Sequence, residues 1–409
     1  MVVRQVLACD ACAAKTITRV QVGHGDSQVH AFPCVSCGTG ITFSLRIDRK
    51  NVKVEFGPDP TNASWVNDEV DAVQSLAFAV ELLIPQEALH AGMGMTPFLL
   101  TSQLFRDWPT FAKHEAHRRA WQMQAPTALA RLRTHLERGN HELFIRDLEE
   151  FDRSLPDTAP DWRKLKEYAD LLRVAANLMA LPRPDWLDRI QERTETAWET
   201  SRERVGQLVT ESIDAGQSLQ LWHELGSFAD RFHERWSLVG LLLQPAYWRD
   251  PSVAMEDFVV CDKRFSALKL LYIEAFETMC RISMLAVAVE AIISRRNLRI
   301  PTKKDSMGVW DYDRLPNSQK SHHLKGLPVD DLFVPFMDTT LRNGIGHNSA
   351  RYDAATDQVV WTAFKKSGPV ENRMHYTNFC RSVLEVCSTL LHVQQYFFAL
   401  HIRAKATPW

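Results

Sequence analysis

The segment FSALKLLYIEAFETMCRISMLAVAVEAII, residues 265–293, decides the fold class of this 409-residue chain. Its apolar residues return at alternating steps of three and four, which is the spacing of one helical face. This face consists of Phe265, Leu268, Tyr272, Ala275, Met279, Ile282, Ala286, Val289 and Ile293. A second segment repeats the pattern with Phe379, Val383, Val386, Leu390, Val393, Phe397 and Leu400. Such a repeat keeps a helix in contact with a neighbour along its length, so we expect a helical bundle or a dimer seam here.

The composition is that of an ordinary globular protein. Hydrophobic residues make up 45% of the chain and charged residues 24%, so long disordered tracts are not expected. The 48 Lys and Arg residues are balanced by 50 Asp and Glu residues, so any nucleic-acid site has to be a local patch. A chain of this length predicts two or three domains.

The sequence also predicts where the protein resides. Apolar stretches such as 284–289 are interrupted by charge well before the roughly 20 residues that cross a bilayer. No apolar signal-peptide core precedes Cys9. We therefore expect a soluble, cytoplasmic protein with no membrane partner. The chain also lacks the motifs G-x-x-x-x-G-K-[ST], G-x-S-x-G and H-E-x-x-H, which excludes several large enzyme classes.

Four of the eight cysteines form two pairs near the N-terminus, Cys9-Asp-Ala-Cys12 and Cys34-Val-Ser-Cys37. Each pair can present two thiolates to one metal ion, and two pairs complete a tetrahedral site. We expect Cys9, Cys12, Cys34 and Cys37 to hold a structural zinc ion with no open coordination position. A disulfide pair is the alternative, and a reducing compartment disfavours it.

Strand-like alternation surrounds the cysteine pairs, in residues 17–22 and 41–47. Together these features predict a small β zinc ribbon over residues 1–57, held by its metal rather than by a large core. His24 and His30 are interpreted as surface residues of the hairpin, because four thiolates already satisfy zinc.

Residues 62–250 are interpreted as a helical middle domain. Strand-like alternation stops at Asn67, and proline-containing breakers at 155–160, 181–184 and 244–251 separate amphipathic segments. Tryptophans recur in this region, at Trp162, Trp186, Trp198, Trp222, Trp236 and Trp248. They could form a stacking platform for nucleic-acid bases, but we favour packing between helices.

The remaining part, residues 251–409, is expected to be a helical bundle with a short β-hairpin insert at 351–362. Inside it lies Leu341-Arg-Asn-Gly-Ile-Gly-His-Asn348, in which four residues separate Arg342 from His347 and polar Asn343 follows the arginine. This pattern resembles the R-x4-H motif of the HEPN family (higher eukaryotes and prokaryotes nucleotide-binding), whose members are helical bundles. The resemblance covers residues 255–403. The expected fold class is therefore mainly α, with a small β zinc ribbon, a helical middle region and a C-terminal HEPN-like bundle.

The resemblance also implies a function. Many HEPN proteins are metal-independent ribonucleases of bacterial defence or toxin systems, so it implies an RNA substrate and catalysis by Arg342, Asn343 and His347. It implies a homodimer in which two copies of the motif face one cleft, and a trigger or antitoxin partner. The residue types suit RNA cleavage by 2′-hydroxyl attack, because an imidazole can move protons and a guanidinium can compensate phosphate charge.

Two features of the motif leave alternatives open. Gly344 and Gly346 each weaken a helix by about 1 kcal/mol relative to alanine, so the helix is expected to end or bend here. Arg342 would then pair with an acid such as Asp338, and His347 would cap carbonyl groups. On that interpretation the chain is a non-catalytic nucleic-acid- or protein-binding protein, and the bundle is its dimerisation scaffold. Nucleotide binding or nucleotidyl transfer at the bundle is a third hypothesis, which the missing phosphate loop disfavours.

Overall fold

The structure is a computed structural model of the chain. It describes residues 2–23, 26–48, 51, 53–67, 71–85, 108–181, 183, 185–243, 257–261, 263–301, 306–346, 349–365 and 368–406.

Helices predominate, and several small sheets accompany them, so the mainly α class is observed. The strands are β1 (Val2–Cys9), β2 (Lys15–Gln21), β3 (Ser27–Pro33), β4 (Gly40–Asp48), β5 (Lys53–Phe56), β6 (Ala63–Val66), β7 (Ala72–Ala79), β8 (Leu82–Ile84), β9 (Val259–Val260), β10 (Arg299–Pro301), β11 (Ser306–Gly308), β12 (Arg351–Asp353), β13 (Gln358–Lys365) and β14 (Gly368–His375). The α-helices are α1 (Trp108–Arg138), α2 (His141–Leu148), α3 (Asp161–Met179), α4 (Trp186–Thr200), α5 (Arg202–Asp214), α6 (Gln217–Glu234), α7 (Trp236–Val239), α8 (Phe265–Arg295), α9 (Val309–Asp313), α10 (Asn317–Leu324), α11 (Thr339–Gly346), α12 (Tyr376–Val393) and α13 (Gln395–Ala406).

The N-terminal strands form two sheets with a shared core. One sheet has the strand order β6-β1-β2-β7-β8-β9, and the other has the order β3-β4-β5. β1 and β2 are antiparallel, whereas β2 and β7 are parallel. Side chains from both sheets, among them Phe32, Phe43 and Phe78, form one buried cluster. The two strands predicted beside the cysteine pairs are confirmed as β2 and β4.

Strands also lie at Ala63–Val66, Ala72–Ala79 and Leu82–Ile84, so the interpretation of the chain as helical from residue 62 onward is wrong there. β6 pairs with β1, β7 with β2, and β8 with β7. The N-terminal β unit therefore continues past the border predicted at residue 57. The second half of β7 and all of β8 are buried, and strands buried on both faces have continuous apolar runs instead of alternation. In addition β9, which lies in the predicted C-terminal domain, pairs with β8 and extends this sheet.

α8 is the centre of the helical part. Its predicted apolar face packs along α12, and other sides contact α4, α6, α9 and α11. Leu268, Tyr272 and Met279 on this face are 0 to 1% exposed, and burying a side chain of this size contributes roughly 1.5–3 kcal/mol. The spacing predicted either a helical bundle or a dimer seam. The structure shows packing within one chain, which buries this face without a second copy.

The second apolar repeat is divided between α12 and α13, which separate at Gln394. The prediction that tryptophans pack between helices is confirmed for Trp186, Trp198 and Trp236, which are 6 to 8% exposed. Trp248 lies outside the described residues.

The predicted hairpin is present as β12 and β13, and β14 adds a third strand that the sequence analysis did not anticipate. Residues Asp330–Leu332 form a short 3-10 turn, and the α-helix that follows begins at Thr339.

The prediction that His30 is a surface residue is wrong. His30 is 0% exposed, and its ring stacks on Phe43 at 4.7 Å and meets Phe78 edge-on at 5.0 Å. Neither ring nitrogen has a hydrogen-bond partner among the described residues. Burial lowers the pKa of His30 to about 3, because the charged imidazole loses its hydration there. His24 lies outside the described residues.

His30 should make the protein sensitive to acid. In the unfolded chain its pKa is about 6.5, whereas in the fold it is about 3. Above pH 6.5 the imidazole is neutral in both states, so the free energy of unfolding does not depend on its titration. As pH falls from 6.5 towards 3, the unfolded chain binds a proton that the fold excludes, and the free energy of unfolding falls by about 2 kcal/mol by pH 5. His30→Phe removes the unpaired nitrogens and this titration, so its urea midpoint should rise at pH 7.5 and fall less at pH 5.

The control is His223→Phe, since the His223 side chain is 60% exposed. Urea unfolding followed by fluorescence at both pH values compares the three proteins. An equal acid-induced loss in wild type and His30→Phe would contradict the buried neutral imidazole.

Candidate functional site

The four N-terminal cysteines converge as predicted. The Sγ atoms of Cys9 and Cys37 are 3.7 Å apart, and those of Cys12 and Cys34 are 3.6 Å apart. All four sulfur atoms lie within 4.8 Å of one another. These distances are far longer than a disulfide bond of about 2.05 Å, and the cysteines are free thiols. The cluster is compatible with a metal site.

The two cysteine turns have matching backbones. In each, the N–H of the first cysteine, Cys9 or Cys34, donates to the carbonyl five residues ahead, at 3.0 and 2.8 Å. The N–H four residues ahead donates back to that cysteine's carbonyl, at 2.8 and 2.7 Å. The residue that closes each turn has positive φ, 58° at Ala13 and 74° at Gly38. Two separate segments thus adopt one turn geometry that directs their cysteines to a common point.

The surroundings of the thiols favour the metal-binding form of at least one of them. The hydroxyl of Thr39 lies 3.2 Å from the Sγ of Cys37 and lowers the pKa of that thiol to about 6. A thiolate, rather than a thiol, is the form that ligates a metal. His30 is not among the residues that converge here.

The second predicted site lies on α11. Arg342 and Asn343 are adjacent on this short helix, and Nη1 of Arg342 donates to Oδ1 of Asn343 at 3.2 Å. The Arg342 side chain is 29% exposed, and Asn343 is exposed. The structure therefore brings these two predicted residues together at the surface. His347 lies outside the described residues.

Arg342 is held by an acid from another helix. Its Nε donates to Oε1 of Glu277 on α8 at 2.6 Å, and its Nη2 donates to the same oxygen. The other oxygen of Glu277 accepts from Nδ2 of Asn317 at 2.6 Å. On the non-catalytic interpretation, Asp338 was expected to pair with Arg342. Its carboxylate instead accepts from the backbone N–H groups of Thr340 and Leu341 and so caps α11.

Sequence reasoning missed Glu277 and Asn317, which are distant from the motif in the chain. A signal for Glu277 was present, because Glu274, Glu277 and Arg281 interrupt the apolar sequence of α8 at positions i, i+3 and i+7. That spacing places three charged side chains on one helical face. The spacing does not indicate which cationic side chain of another element pairs with the two glutamates.

The two glycines of the motif have different roles in the structure. The described part of α11 extends through both glycines to Gly346, and residues 347 and 348 lie outside the described residues. A Cβ atom on Gly344 would lie 2.2 Å from Cδ1 of Trp361, a side chain of β13 that is 6% exposed. A Cβ atom on Gly346 would meet only the Arg342 guanidinium, at 3.5 Å. Gly344 therefore permits close packing of α11 on β13.

Comparison with known proteins gives no significant match to this chain, whether with protein-family models, curated proteins or solved structures. The resemblance of residues 341–348 to HEPN proteins is thus not tested by these comparisons. Among the residues that the structure describes, no helix has the length and apolar character needed to cross a membrane.

Gly344→Ala should destabilise the protein although alanine favours helices. The clash with buried Trp361 is expected to cost about 1–3 kcal/mol, which exceeds the gain of about 1 kcal/mol in helix propensity. Gly346→Ala is the matched control, since its added methyl group makes an ordinary contact and should leave the stability unchanged or slightly higher. Thermal unfolding midpoints of the three proteins test this, and a Gly344→Ala midpoint equal to that of Gly346→Ala would contradict the close packing.

Proposed function

We propose that this chain is a metal-independent endoribonuclease, the effector of a defence or toxin system, as the resemblance to HEPN proteins implies. The observation that supports it best is the arrangement of Arg342 and Asn343. They are in contact with each other at the outer side of α11, and Glu277 on α8 fixes the guanidinium. A positioned cation beside an amide is the arrangement that phosphate recognition needs.

In the proposed reaction, the 2′-hydroxyl of RNA attacks the neighbouring phosphate. Arg342 compensates the charge that develops on the phosphate oxygens. Among the described residues, Glu277 and Asn343 engage three of its five N–H donors, and in the proposed reaction the other two bind the substrate. His347 transfers the protons, and Asn343 holds a phosphate oxygen or orients the imidazole. The products carry a 2′,3′-cyclic phosphate and a 5′-hydroxyl group.

The proposal includes a homodimer in which two motifs face one cleft. Because the apolar face of α8 is buried within its own chain, the dimer has to form through other surfaces. A trigger or antitoxin partner belongs to the same proposal.

For the cysteine cluster we propose structural zinc in an N-terminal ribbon-like unit. Zinc–sulfur bonds of about 2.3 Å in a tetrahedron separate the sulfur atoms by about 3.8 Å, close to the 3.6 and 3.7 Å of the two measured pairs. Cys9, Cys12, Cys34 and Cys37 would be the ligands. With four thiolates the coordination is complete, so the ion would stabilise the turns and take no part in chemistry.

A second candidate is a non-catalytic nucleic-acid- or protein-binding protein that uses its helices as a scaffold. The ion pair of Arg342 with Glu277 favours it, because the carboxylate already compensates the positive charge that a phosphate would need. The two candidates differ in whether RNA is cut.

Substitution of the motif should abolish cleavage of RNA. With a labelled RNA pool and EDTA, Arg342→Ala and His347→Ala are expected to cut at least about 100-fold more slowly than wild type. Asn343→Ala should be impaired less, since it assists the other two. Arg314→Ala is the control, because Arg314 is 80% exposed and lies outside the motif. Gel analysis of the products gives the rates and the cyclic-phosphate ends.

Equal cutting by wild type and all variants would contradict the roles of these residues. RNA that all of them bind and none cuts would favour the binding protein instead. Thermal midpoints of each variant separate lost catalysis from lost folding.

Zinc should be present at about one ion per chain and should depend on the exposed cysteines. The double variant Cys12→Ser with Cys37→Ser is expected to lose the metal and to unfold its N-terminal unit at lower temperature. Cys387→Ala is the control, because this buried thiol is remote from the cluster. Elemental analysis of the purified proteins measures the content, and a zinc-free wild type or an undiminished double variant would refute the site.

A further inference from the structure

A polar cavity of about 360 Å³ lies beside the Arg342 ion pair, among α5, α6, α8, α9, α10 and α13. This volume is within the range of roughly 300–1,000 Å³ that small-molecule sites occupy. Glu277 and Asn317, which connect to Arg342, both line it.

The cavity has an apolar floor and a charged, partly exposed rim. Met284, Leu285 and Phe397 on the floor are 3 to 4% exposed. Arg281 at the rim is 43% exposed and pairs with Glu224 at 2.9 Å. An apolar lining with a few polar groups is typical of a site for a small hydrogen-bonding ligand, and an aromatic side chain such as Phe397 can pack on a planar one.

Lys320 gives the cavity a buried cation with donors to spare. Its side chain is 4% exposed, and among the described residues its ammonium group donates to the carbonyl of Cys280 at 3.3 Å. Nζ also forms an ion pair with Asp313, whose oxygen is 3.8 Å away and so beyond hydrogen-bond distance, and it lies 5.8 Å from the centre of the Tyr312 ring. Because an ammonium group has three donors, Lys320 can still bind an acceptor of a ligand.

Two acceptors accompany this donor. The Asp313 carboxylate accepts from Nε2 of Gln217 at 3.1 Å, and its side chain is 22% exposed. The amide oxygen of Gln217 is buried and has no hydrogen-bond partner among the described residues. A carboxylate offers about four lone-pair sites, so Asp313 retains capacity for a ligand. A buried acceptor left unsatisfied is unfavourable, and a donor group of a ligand would satisfy it.

We propose that this cavity binds a guanine base. Guanine presents one carbonyl oxygen, O6, next to two donors, N1–H and the N2 amino group, which matches one ammonium donor beside two acceptors. Lysine commonly contacts O6 and N7 of guanine. Adenine has no carbonyl oxygen, and uracil has a single donor between two carbonyls, so neither satisfies Lys320, Asp313 and Gln217 together. The aromatic floor residue Phe397 and its aliphatic neighbours contact the face of the base.

The base can belong to RNA or to a free guanine nucleotide, since the recognised atoms are the same. The position favours a connection with Arg342, because Asn317 and Arg342 bind opposite oxygens of Glu277. A base in the cavity therefore lies one carboxylate away from the proposed phosphate-binding guanidinium. Recognition of guanine does not depend on whether Arg342 and His347 are catalytic.

Calorimetric titration of the full-length His347→Ala protein tests the proposal without cleavage of RNA. The probes are guanosine, inosine, adenosine and uridine. Guanosine is expected to bind at least 10-fold more tightly than adenosine or uridine, and inosine should be weaker than guanosine because it lacks the N2 amino group. Binding of all four with equal affinity, or no binding of guanosine at millimolar concentration, would overturn the proposal.

Three variants locate the binding. Asp313→Asn and Lys320→Met should each weaken guanosine binding at least 10-fold, because each removes one recognition group. Their controls are Asp311→Asn and Lys325→Met, which change exposed residues near the same helices. Since Lys320 is buried and its replacement can affect folding, Leu315→Trp serves as an independent variant that fills the cavity from its lining. Unchanged guanosine affinity in folded Leu315→Trp would show that the base binds elsewhere.

A last comparison identifies the source of the base. The heptamers UUUGUUU and UUUAUUU are titrated beside guanosine 5′-monophosphate. Tighter binding of the guanine-containing heptamer than of the monophosphate assigns the cavity to RNA, and the reverse order assigns it to a free nucleotide. Equal binding of the two heptamers together with equal binding of the nucleosides would refute guanine recognition altogether.

Discussion

The burial of α8 is the constraint on which the helical part of the molecule depends. This helix has 31 residues and is about 46 Å long at 1.5 Å per residue. Helices contact it on several sides, and most of its apolar side chains are inaccessible to solvent. The charged residues Glu274, Glu277 and Arg281 lie together on a partly exposed face of this helix, with side chains 16 to 43% exposed. The two candidate sites in this half of the molecule, the Arg342 ion pair and the polar cavity, both lie along that face.

The ion pairs on this face act by orientation more than by energy. Arg231 lies 3.0 Å from Glu274, and Arg281 lies 2.9 Å from Glu224. Partly exposed pairs of this kind contribute only about 0–1 kcal/mol each. Their value is geometric, because each fixes a long side chain that would otherwise sample many rotamers. Burial raises the pKa of Glu224, Arg281 and Gln220 lower it, and the nearby carboxylates Glu277 and Glu274 raise it, with a net upward shift.

Local patterns predicted the features that local chemistry determines. The spacing of Cys9, Cys12, Cys34 and Cys37 was sufficient to bring the thiols together, because each turn is closed within six residues. Periodicity likewise identified α8, since its face repeats over the whole helix. The errors arose where distant segments decide the outcome. The second half of β7 and all of β8 have no alternation because they are buried on both faces. His30 was interpreted as a surface residue of the hairpin, but the rings that enclose it come from β4 and β7.

The candidate site shows the same division. Arg342 and Asn343 were identified from the motif, and their contact follows from their adjacency on α11. Glu277 and Asn317 were not, since a hydrogen bond between helices that are far apart in sequence leaves no pattern in either one. The cavity beneath them is formed by six helices and has no local signature. A reading of the chain alone therefore finds reactive residue types but not the groups that tune them.

The pairing of β8 with β9 has a consequence for the nascent chain during translation. Leu82 pairs with Val260, so β8 leaves the ribosome long before its neighbour has been synthesised. Until then its outer edge presents free N–H and C=O groups, which invite addition of a foreign strand. A molecular chaperone that covers strand edges would prevent such pairing during translation, until Val259 and Val260 are synthesised and pair with β8.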